Sequence, residues 1–265
     1  MPLISFVKMH SLGNDFVIIN FLNDAHPIDS RLVRSLSNRF MGIGFDQLLI
    51  LERSNQADIF CRIFNADGSE AAQCGNGLRC VARYMQEEMQ YSSELCIETK
   101  AGVCPVHILD FNHIQVGMGT PLIREKLVEI GSKDIAISIS ILDLGNPHAI
   151  FKNESSLNMP HEEIAHLIAK QFPQGINVGL MNIRHPASIE LRTFERGVGE
   201  THACGSNACA AVASGIINGW LKSPVNVHYR YGELMVAWPH PDQSIQLVGP
   251  ATRVFEGSVR SNDQE

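Results

Sequence analysis

The chain repeats itself at a spacing of 130 residues, and this constrains its fold more than any other feature does. Arg62, Phe64, Glu70, Cys74 and Gly75 align with Arg192, Phe194, Glu200, Cys204 and Gly205. Upstream, Leu12-Gly13-Asn14 aligns with Leu144-Gly145-Asn146 at a spacing of 132. Downstream, Gly102 and Val106 align with Gly232 and Val236 at 130, and Ile114-Gln115 with Ile245-Gln246 at 131. Chance matches would scatter over many spacings, whereas these keep their order and stay within two residues of one value. Each copy takes about half of the 265 residues, an ordinary domain size, so the expected architecture is two similar lobes facing each other across a pseudo-two-fold axis.

Within each half, short stretches of strand character such as Phe16–Asn20, Asp58–Phe64 and Val103–Leu109 accompany one strongly apolar segment. Leu78–Met85 and Ala208–Ile217 are apolar on nearly every face, which predicts a helix buried inside its lobe. The fold class that follows is α+β, two similar lobes from an internal duplication, each a mixed β-sheet wrapped around a central buried helix. A further amphipathic helix is predicted at His161–Gln171, with Pro160 near its first turn.

Composition narrows the function. A chain 45% hydrophobic and 18% charged has enough apolar material for a sizeable core. A formal net charge of -7 argues against a nucleic-acid groove, which needs clustered Lys and Arg, and favours a small-molecule partner. The N-terminal residues lack the pattern of a secretory signal, and no apolar run approaches the ~18 residues of a membrane span; a cytoplasmic protein without membrane attachment is expected. Seven cysteines without a signal read as reduced thiols rather than a disulfide framework. Their spacing does not suit structural zinc, so a structural zinc site is not expected. Cys61, Cys80, Cys96, Cys104 and Cys209 sit in apolar runs and read as small buried hydrophobes.

Cys74 and Cys204 read differently. Each precedes Gly and polar residues, in Cys74-Gly-Asn-Gly77 and Cys204-Gly-Ser-Asn207, where a loop gives way to the buried helix. At a helix N-terminus the first N–H groups lack intrahelical partners and the macrodipole is positive, which stabilises a thiolate and lowers a thiol's pKa below ~8.5. The same N–H groups can hold a carboxylate. Duplicating this element aims two thiols at one point from opposite sides. One thiolate can then remove an α-proton while the other thiol protonates the opposite face, the geometry that inverting a stereocentre demands. The carbanion that develops beside a carboxylate needs preorganised N–H donors in a dry site, and two helix N-termini would supply them.

At these residues the chain resembles the diaminopimelate epimerases, over essentially its whole length. The resemblance is carried by Lys8-Met-His-Ser-Leu-Gly-Asn-Asp-Phe16, Gly42-Ile-Gly-Phe-Asp-Gln47, Phe64-Asn-Ala-Asp-Gly-Ser-Glu70, Gln73-Cys-Gly-Asn-Gly77, Gly145-Asn-Pro-His148, Asn177, Glu195-Arg-Gly197 and Ala203-Cys-Gly-Ser206. It implies a metal- and pyridoxal-phosphate-independent two-base reaction interconverting LL- and meso-diaminopimelate in lysine and peptidoglycan precursor synthesis, with Cys74 and Cys204 as the pair. It also implies that Gly75, Asn76, Gly205 and Ser206 hold the carboxylate of the reacting centre. Asn14, Gln47, Asn65, Asn146, Asn177, Glu195 and Arg196 would bind the rest of the substrate, mainly its distal amino-acid end. His148 would sit beside Cys74 and Glu195 beside Cys204, tuning thiol protonation. The last strand would return to the first lobe, giving lobes of 1–118 plus 251–265 and 119–250, and the protein would be a homodimer.

These assignments suit the chemistry. A substrate with an amino acid at each end needs a second anchor, and Arg and Glu together read a zwitterion, while Asn both donates and accepts. Read alone, Asn14 and Asn146 would be turn residues and His148 an ordinary polar loop histidine. Two positions depart from the family pattern: Ser11 stands where a glycine is usual, and Asn207 stands where Gly usually follows Gly205-Ser206. Asn207 is expected to be accommodated as a helix-cap-compatible residue. The alternatives are a proline or hydroxyproline racemase, which would not need the distal anchor of Asn177 and Glu195-Arg196, and an isomerase of the phenazine-biosynthesis type, which would lack the thiol pair. A non-catalytic two-lobed amino-acid binding protein would leave the two thiols unexplained. A Rossmann dehydrogenase is set aside, since Gly42-Ile-Gly44 lacks the third glycine and the following acidic residue.

Overall fold

The computed structural model describes residues 3–23, 27–132, 135–153 and 159–260. The chain separates into two compact units, Met1–Val116 with Gly249–Glu265, and Gly117–Val248. The first contains β1 (Leu3–Ser11), β2 (Asn14–Asn20), α1 (Ser30–Ser37), β3 (Gln47–Glu52), β4 (Ile59–Asn65), β5 (Glu70–Ala71), α2 (Gly75–Met89), β6 (Glu94–Thr99), β7 (Gly102–Ile108) and β8 (Ile114–Gly117). The second contains β9 (Leu122–Ser132), β10 (Ile135–Asp143), β11 (Pro147–Lys152), α3 (His161–Ala169), β12 (Asn177–His185), β13 (Ser188–Glu195), β14 (Gly199–Thr201), α4 (Gly205–Ile217), β15 (Val225–Tyr229), β16 (Gly232–Ala237) and β17 (Gln246–Gly249). A last strand, β18 (Thr252–Arg260), pairs antiparallel with β1 of the first unit.

The repeat in the sequence is a repeat of strand pairings. In the first unit β1–β2 is antiparallel, β2–β3 parallel, β3–β4 antiparallel, β4–β6 parallel and β6–β7 antiparallel. In the second unit β10–β11, β11–β12, β12–β13, β13–β15 and β15–β16 follow the same series of senses. β18 lies against β1 as β9 lies against β10, so the returning C-terminal strand completes in the first unit what β9 completes in the second. The fold is α+β and dominated by sheet.

Each unit sinks one helix among its strands. In α2 the residues Leu78, Cys80, Val81, Ala82 and Met85 are fully buried, and in α4 every residue from Asn207 to Ala213 is. Burying a Leu, Val or Met side chain is worth roughly 1.5–3 kcal/mol, so the one-turn-apart residues of α2 anchor it firmly. The helix ends at Gln90, which takes the left-handed conformation at φ 55° and hands the chain to β6. α1 and α3 pack apolar faces of Val33 with Leu36, and of Ile164, Ala165 and Ile168, on the flanks of their own sheets. Cys96 corrects one expectation: it is exposed on β6, whose alternation turns Leu95 and Ile97 inward. Cys61, Cys80, Cys104 and Cys209 are buried as expected, and burial pushes the Cys80 thiol up to about 12.

The turn after β17 is tied to the first unit by side chains. Ser11 Oγ donates to the Pro250 carbonyl at 2.7 Å, Arg79 Nε reaches the same oxygen at 3.4 Å, and Arg83 donates to the Ala251 carbonyl. Arg83 also stacks on Phe111 with its guanidinium carbon 3.8 Å from the ring centre.

Equivalent core positions of the two units carry different volumes. In the first, Leu49 and Phe16 crowd Gly77, where an added Cβ would meet Leu49 Cδ2 at 3.2 Å and Phe16 Cε1 at 3.4 Å. In the second, position 179 is Gly and position 207 is Asn; a Cβ on Gly179 would lie 2.3 Å from Asn207 Oδ1. Asn207 is accommodated, and what makes room for it is the glycine at 179 rather than the helix cap, which is Cys204. Asn207 is the third residue of α4, fully buried, and neither of its amide atoms has a hydrogen-bond partner among the described residues. Space vacated at Gly179 admits it. Gly179→Ala should accordingly lower stability by about 1–3 kcal/mol, read by chemical denaturation, and Asn207→Gly in that background should recover part of the loss. Wild-type stability in the single variant would contradict this packing.

Candidate active site

Cys74 and Cys204 are the N-cap residues of α2 and α4. Both have extended backbones, φ −149° and ψ 104° at Cys74, φ −131° and ψ 118° at Cys204. Their carbonyls accept the first bond of each helix, from Leu78 N at 2.9 Å and Ala208 N at 3.0 Å. The sequence forces this geometry, because the buried apolar run begins four residues after each cysteine, leaving Gly75-Asn76-Gly77 and Gly205-Ser206 to form a first turn with little side-chain bulk. Cys74 Sγ accepts the Gly77 N–H at 3.4 Å, while Cys204 Sγ lies 3.4 Å from Ser206 Oγ. The Tyr229 hydroxyl donates to the Cys204 carbonyl at 3.0 Å, and burial beside Cys204 pushes its ionisation well above the ordinary tyrosine range.

Around Cys74 the first unit gathers a polar set. Asn76 Nδ2 donates to Asn14 Oδ1 at 3.2 Å, and Asn14 Nδ2 to Asp46 Oδ2 at 2.8 Å. Arg39 bridges Asp46 and Asp15 at 2.7 Å each, and Lys8 meets Asp15 at 2.6 Å. Burial alone would raise the Asp15 carboxyl, but hydrogen bonds from Arg39 and Lys8 overcome it and hold the group at about 2. Gln47 and Asn65 are cross-strand partners on β3 and β4, with Gln47 Nε2 donating to Asn65 Oδ1 at 2.8 Å.

The second unit gathers its own set. His148 Nε2 lies 2.8 Å from Asn146 Oδ1. Asn177 donates to the Pro147 carbonyl at 3.2 Å and accepts the Arg196 backbone N–H at 3.0 Å. Glu195 Oε1 accepts from Thr201 at 2.6 Å. The Arg196 side chain lies across Gly175, where a Cβ would come within 2.3 Å of Arg196 Cδ. Gly175, Thr201, Tyr229, Asp46 and Arg79 were not singled out by sequence reasoning; of these, only Glu200-Thr201 and Asp46 lay in motifs that could have flagged them.

His148 is a strand residue, opposite Asn177 in the parallel β11–β12 pair, and is fully buried. The reading of an isolated loop histidine fails because the repeat places 148 at the position of Phe16, itself opposite Gln47. An amide oxygen at Nε2 selects the tautomer with the proton there and leaves Nδ1, which has no partner among the described residues, as an acceptor. Burial pulls the imidazole down to about 4, against a smaller opposing effect of Asp143.

The family model described as diaminopimelate epimerase matches residues 6–123 and 140–254. A diaminopimelate epimerase of Azotobacter vinelandii is 38% identical over 274 residues, covering 97% of this chain and 99% of that one. Among solved structures, a phenazine biosynthesis protein of the PhzF family from Bacillus anthracis superimposes with a TM-score of 0.74 at 19% identity, covering 98% of this chain and 100% of the other. A hydroxyproline epimerase from Agrobacterium vitis does so with a TM-score of 0.74 at 14% identity, covering 97% and 92%. At those identities the two structures share the fold.

The His148 environment predicts an acid-side signature. Its folded pKa lies below the unfolded value of 6.5, so the unfolded chain binds the extra proton first. Its contribution is fully present above pH 6.5 and is lost as pH falls from 6.5 to about 4, by roughly 3 kcal/mol in all. Denaturant titrations across that range should show a shallower decline in His148→Gln than in the unaltered protein. Parallel curves would mean that the imidazole is not held neutral. Asp15 titrates lower, between 3.8 and about 2, and does not confuse the measurement.

Proposed function

The chain belongs to the diaminopimelate epimerase family, and we propose that it interconverts LL- and meso-diaminopimelate without a cofactor, using Cys74 and Cys204 as base and acid on one α-carbon. The observation that carries this reading is that the two cysteines are the N-caps of the equivalent buried helices in the two units. A thiol in that position meets unpartnered backbone N–H groups and the positive end of the helix dipole, which favour its thiolate. A reaction in which base and acid exchange roles with direction needs two such groups rather than one.

In the forward step one thiolate takes the α-proton and the other thiol delivers its own proton to the opposite face, so the C–H bond broken on one side is replaced on the other. The electron pair left on carbon is stabilised through the neighbouring carboxylate, held by the first-turn groups of Gly75, Asn76, Gly205 and Ser206. Asn14, Gln47, Asn65, Asn146, Asn177, Glu195 and Arg196 bind the remainder of the substrate, with Arg196 for a carboxylate and Glu195 for an ammonium. Neutral His148 and the carboxyl group of Glu195 tune the protonation of the thiols. The product serves lysine and peptidoglycan precursor synthesis in the cytoplasm. A homodimer is supported by β18, which leaves Val254 and Phe255 exposed.

A proline or hydroxyproline racemase is the second reading, on the strength of the shared fold. The Glu195-Arg196 pair favours the longer substrate, since a cyclic amino acid has no second zwitterion to meet it.

Incubation in heavy water decides between them. LL-diaminopimelate should gain α-deuterium and yield the meso form, and proline should gain none. Cys74→Ser and Cys204→Ser should each slow epimerisation by roughly a thousandfold, in line with the loss of one positioned acid or base. Exchange into proline alone would overturn the substrate, and exchange into neither would overturn the enzyme reading.

A further inference from the structure

Arg79 lies in the second turn of α2, one turn after Asn76, and its side chain is fully buried. A guanidinium withdrawn from water is costly unless its donors are met. Arg79 Nη2 donates to Asn76 Oδ1 at 2.6 Å and to Ser11 Oγ at 2.7 Å, and Nε to the Pro250 carbonyl at 3.4 Å. The Ser11 hydroxyl donates its own hydrogen bond to the same carbonyl at 2.7 Å. The hydroxyl of Ser11 is thus a bracket between the guanidinium and the turn after β17.

The direction of these bonds matters. A guanidinium has only donors, so the Asn76 atom facing it is the amide oxygen, and the Asn76 nitrogen points the other way, to Asn14 Oδ1 at 3.2 Å. With its oxygen used as acceptor, Asn14 turns its nitrogen to Asp46 Oδ2 at 2.8 Å, and an ionised carboxylate only accepts. The series Arg79, Asn76, Asn14, Asp46 runs from a donor-only group to an acceptor-only group, and its two ends fix both amides. Each Nδ2 keeps a second proton that these contacts do not use.

The second unit shows what the guanidinium is for. One repeat later, Ser206 replaces Asn76 and Cys209 replaces Arg79. A hydroxyl rotates to donate or accept as its ligand requires, so it has no amide face to fix. Among the described residues, the buried guanidinium accompanies the helix whose second residue is an amide, Asn76, and not the one whose second residue is Ser206.

We propose that Arg79, with Ser11, is a positioning residue that holds Asn76 with its N–H edge rather than its oxygen turned to the substrate, so that this helix start reads a carboxylate and discriminates against an ammonium. The inference rests on the reading of Asn76 as a substrate contact. It concerns how that contact is oriented.

The test is a double-mutant cycle in the full-length protein, measured as KM and kcat for diaminopimelate, with Arg79→Lys, Asn76→Ala and the pair. A lysine has one nitrogen where the Arg79 fork uses two, Nε on the Pro250 carbonyl and Nη2 on Ser11 and Asn76, so Arg79→Lys should raise KM about tenfold, the scale of one hydrogen bond, with kcat changing by less than about threefold. Added to Asn76→Ala, it should raise KM no further, because the amide it orients is gone. Effects that multiply, or a loss of melting temperature with KM unchanged, would mark Arg79 as merely structural and overturn the proposal. If Arg79→Lys does not fold, Ser11→Ala takes its place in the same cycle, with an expected rise of about threefold. Nuclear Overhauser contacts between the Asn76 Nδ2 protons and the Asn14 side chain give a readout independent of turnover. Their absence from the unaltered, ligand-free protein would overturn the proposal even in an active enzyme. Their presence in a protein inactive on diaminopimelate would leave the orientation standing and sink the epimerase reading instead.

Discussion

The backbone N–H groups that open α2 and α4 have no partners within their own helices, and both helices are sunk among strands where water does not reach most of their length. Something at each start must accept those bonds. Ser, Thr, Asp and Asn do so best, and a good cap is worth about 1 kcal/mol over a poor one. Both starts carry cysteine instead, and at Cys74 the sulfur accepts the Gly77 N–H at a long 3.4 Å. A weak cap at the same place in both units is a local rule broken twice, which is where function is expected to have displaced stability. Gly75, Gly77 and Gly205 add no side chain above the first turn.

Keeping both helix starts alike has left the surroundings free to diverge. Phe16, Leu49 and Gly77 in the first unit become His148, Gly179 and Asn207 in the second, so the same interior is filled by a different division of volume. The exchange of Phe for His puts a titratable ring where an inert one stood, and burial then keeps it neutral. Arg79 against Cys209 is the opposite exchange, a cation present in the first unit and a small thiol in the second. Neither difference disturbs the strand pairings, since each occurs on a face already enclosed by its own sheet.

How much of this was legible in the sequence depended on whether a residue had a partner 130 positions away. The buried helices, the order of strands and the cysteines at matching starts all repeat, and repetition made them readable. α3 was foreseen at His161–Gln171 and ends at Ala169, within the fraying usual for helix ends. Cys96 was misjudged because a short apolar run does not say which alternate residue faces out until its strand neighbours are known. His148 looked like a loop residue because Asn-Pro suggests a turn, and only the parallel pairing with β12 shows it inside a strand. Arg79 and Gly175 were invisible for another reason: their importance lies in which way a neighbouring amide or side chain is turned, and spacing carries no such information.

The pattern of likeness and difference has its own chemical logic in the proposed reaction. Inverting one carbon makes equal demands on its two faces, so whatever serves that carbon should appear twice, as the capping cysteines and their small first-turn neighbours do. The far end of the substrate makes its demand once. Asn65-Ala66 in the first unit accordingly corresponds to Glu195-Arg196 in the second, a neutral pair against a pair of opposite charges. Glu195 is held by Thr201 and Arg196 lies over Gly175, contacts that fix both charges on the rigid end of β13. Placing a zwitterion reader in both copies would let the substrate bind in two orientations, with either end at the thiols. A single reader allows one, and the buried guanidinium of Arg79, in the unit without that reader, orients an amide that suits a carboxylate alone.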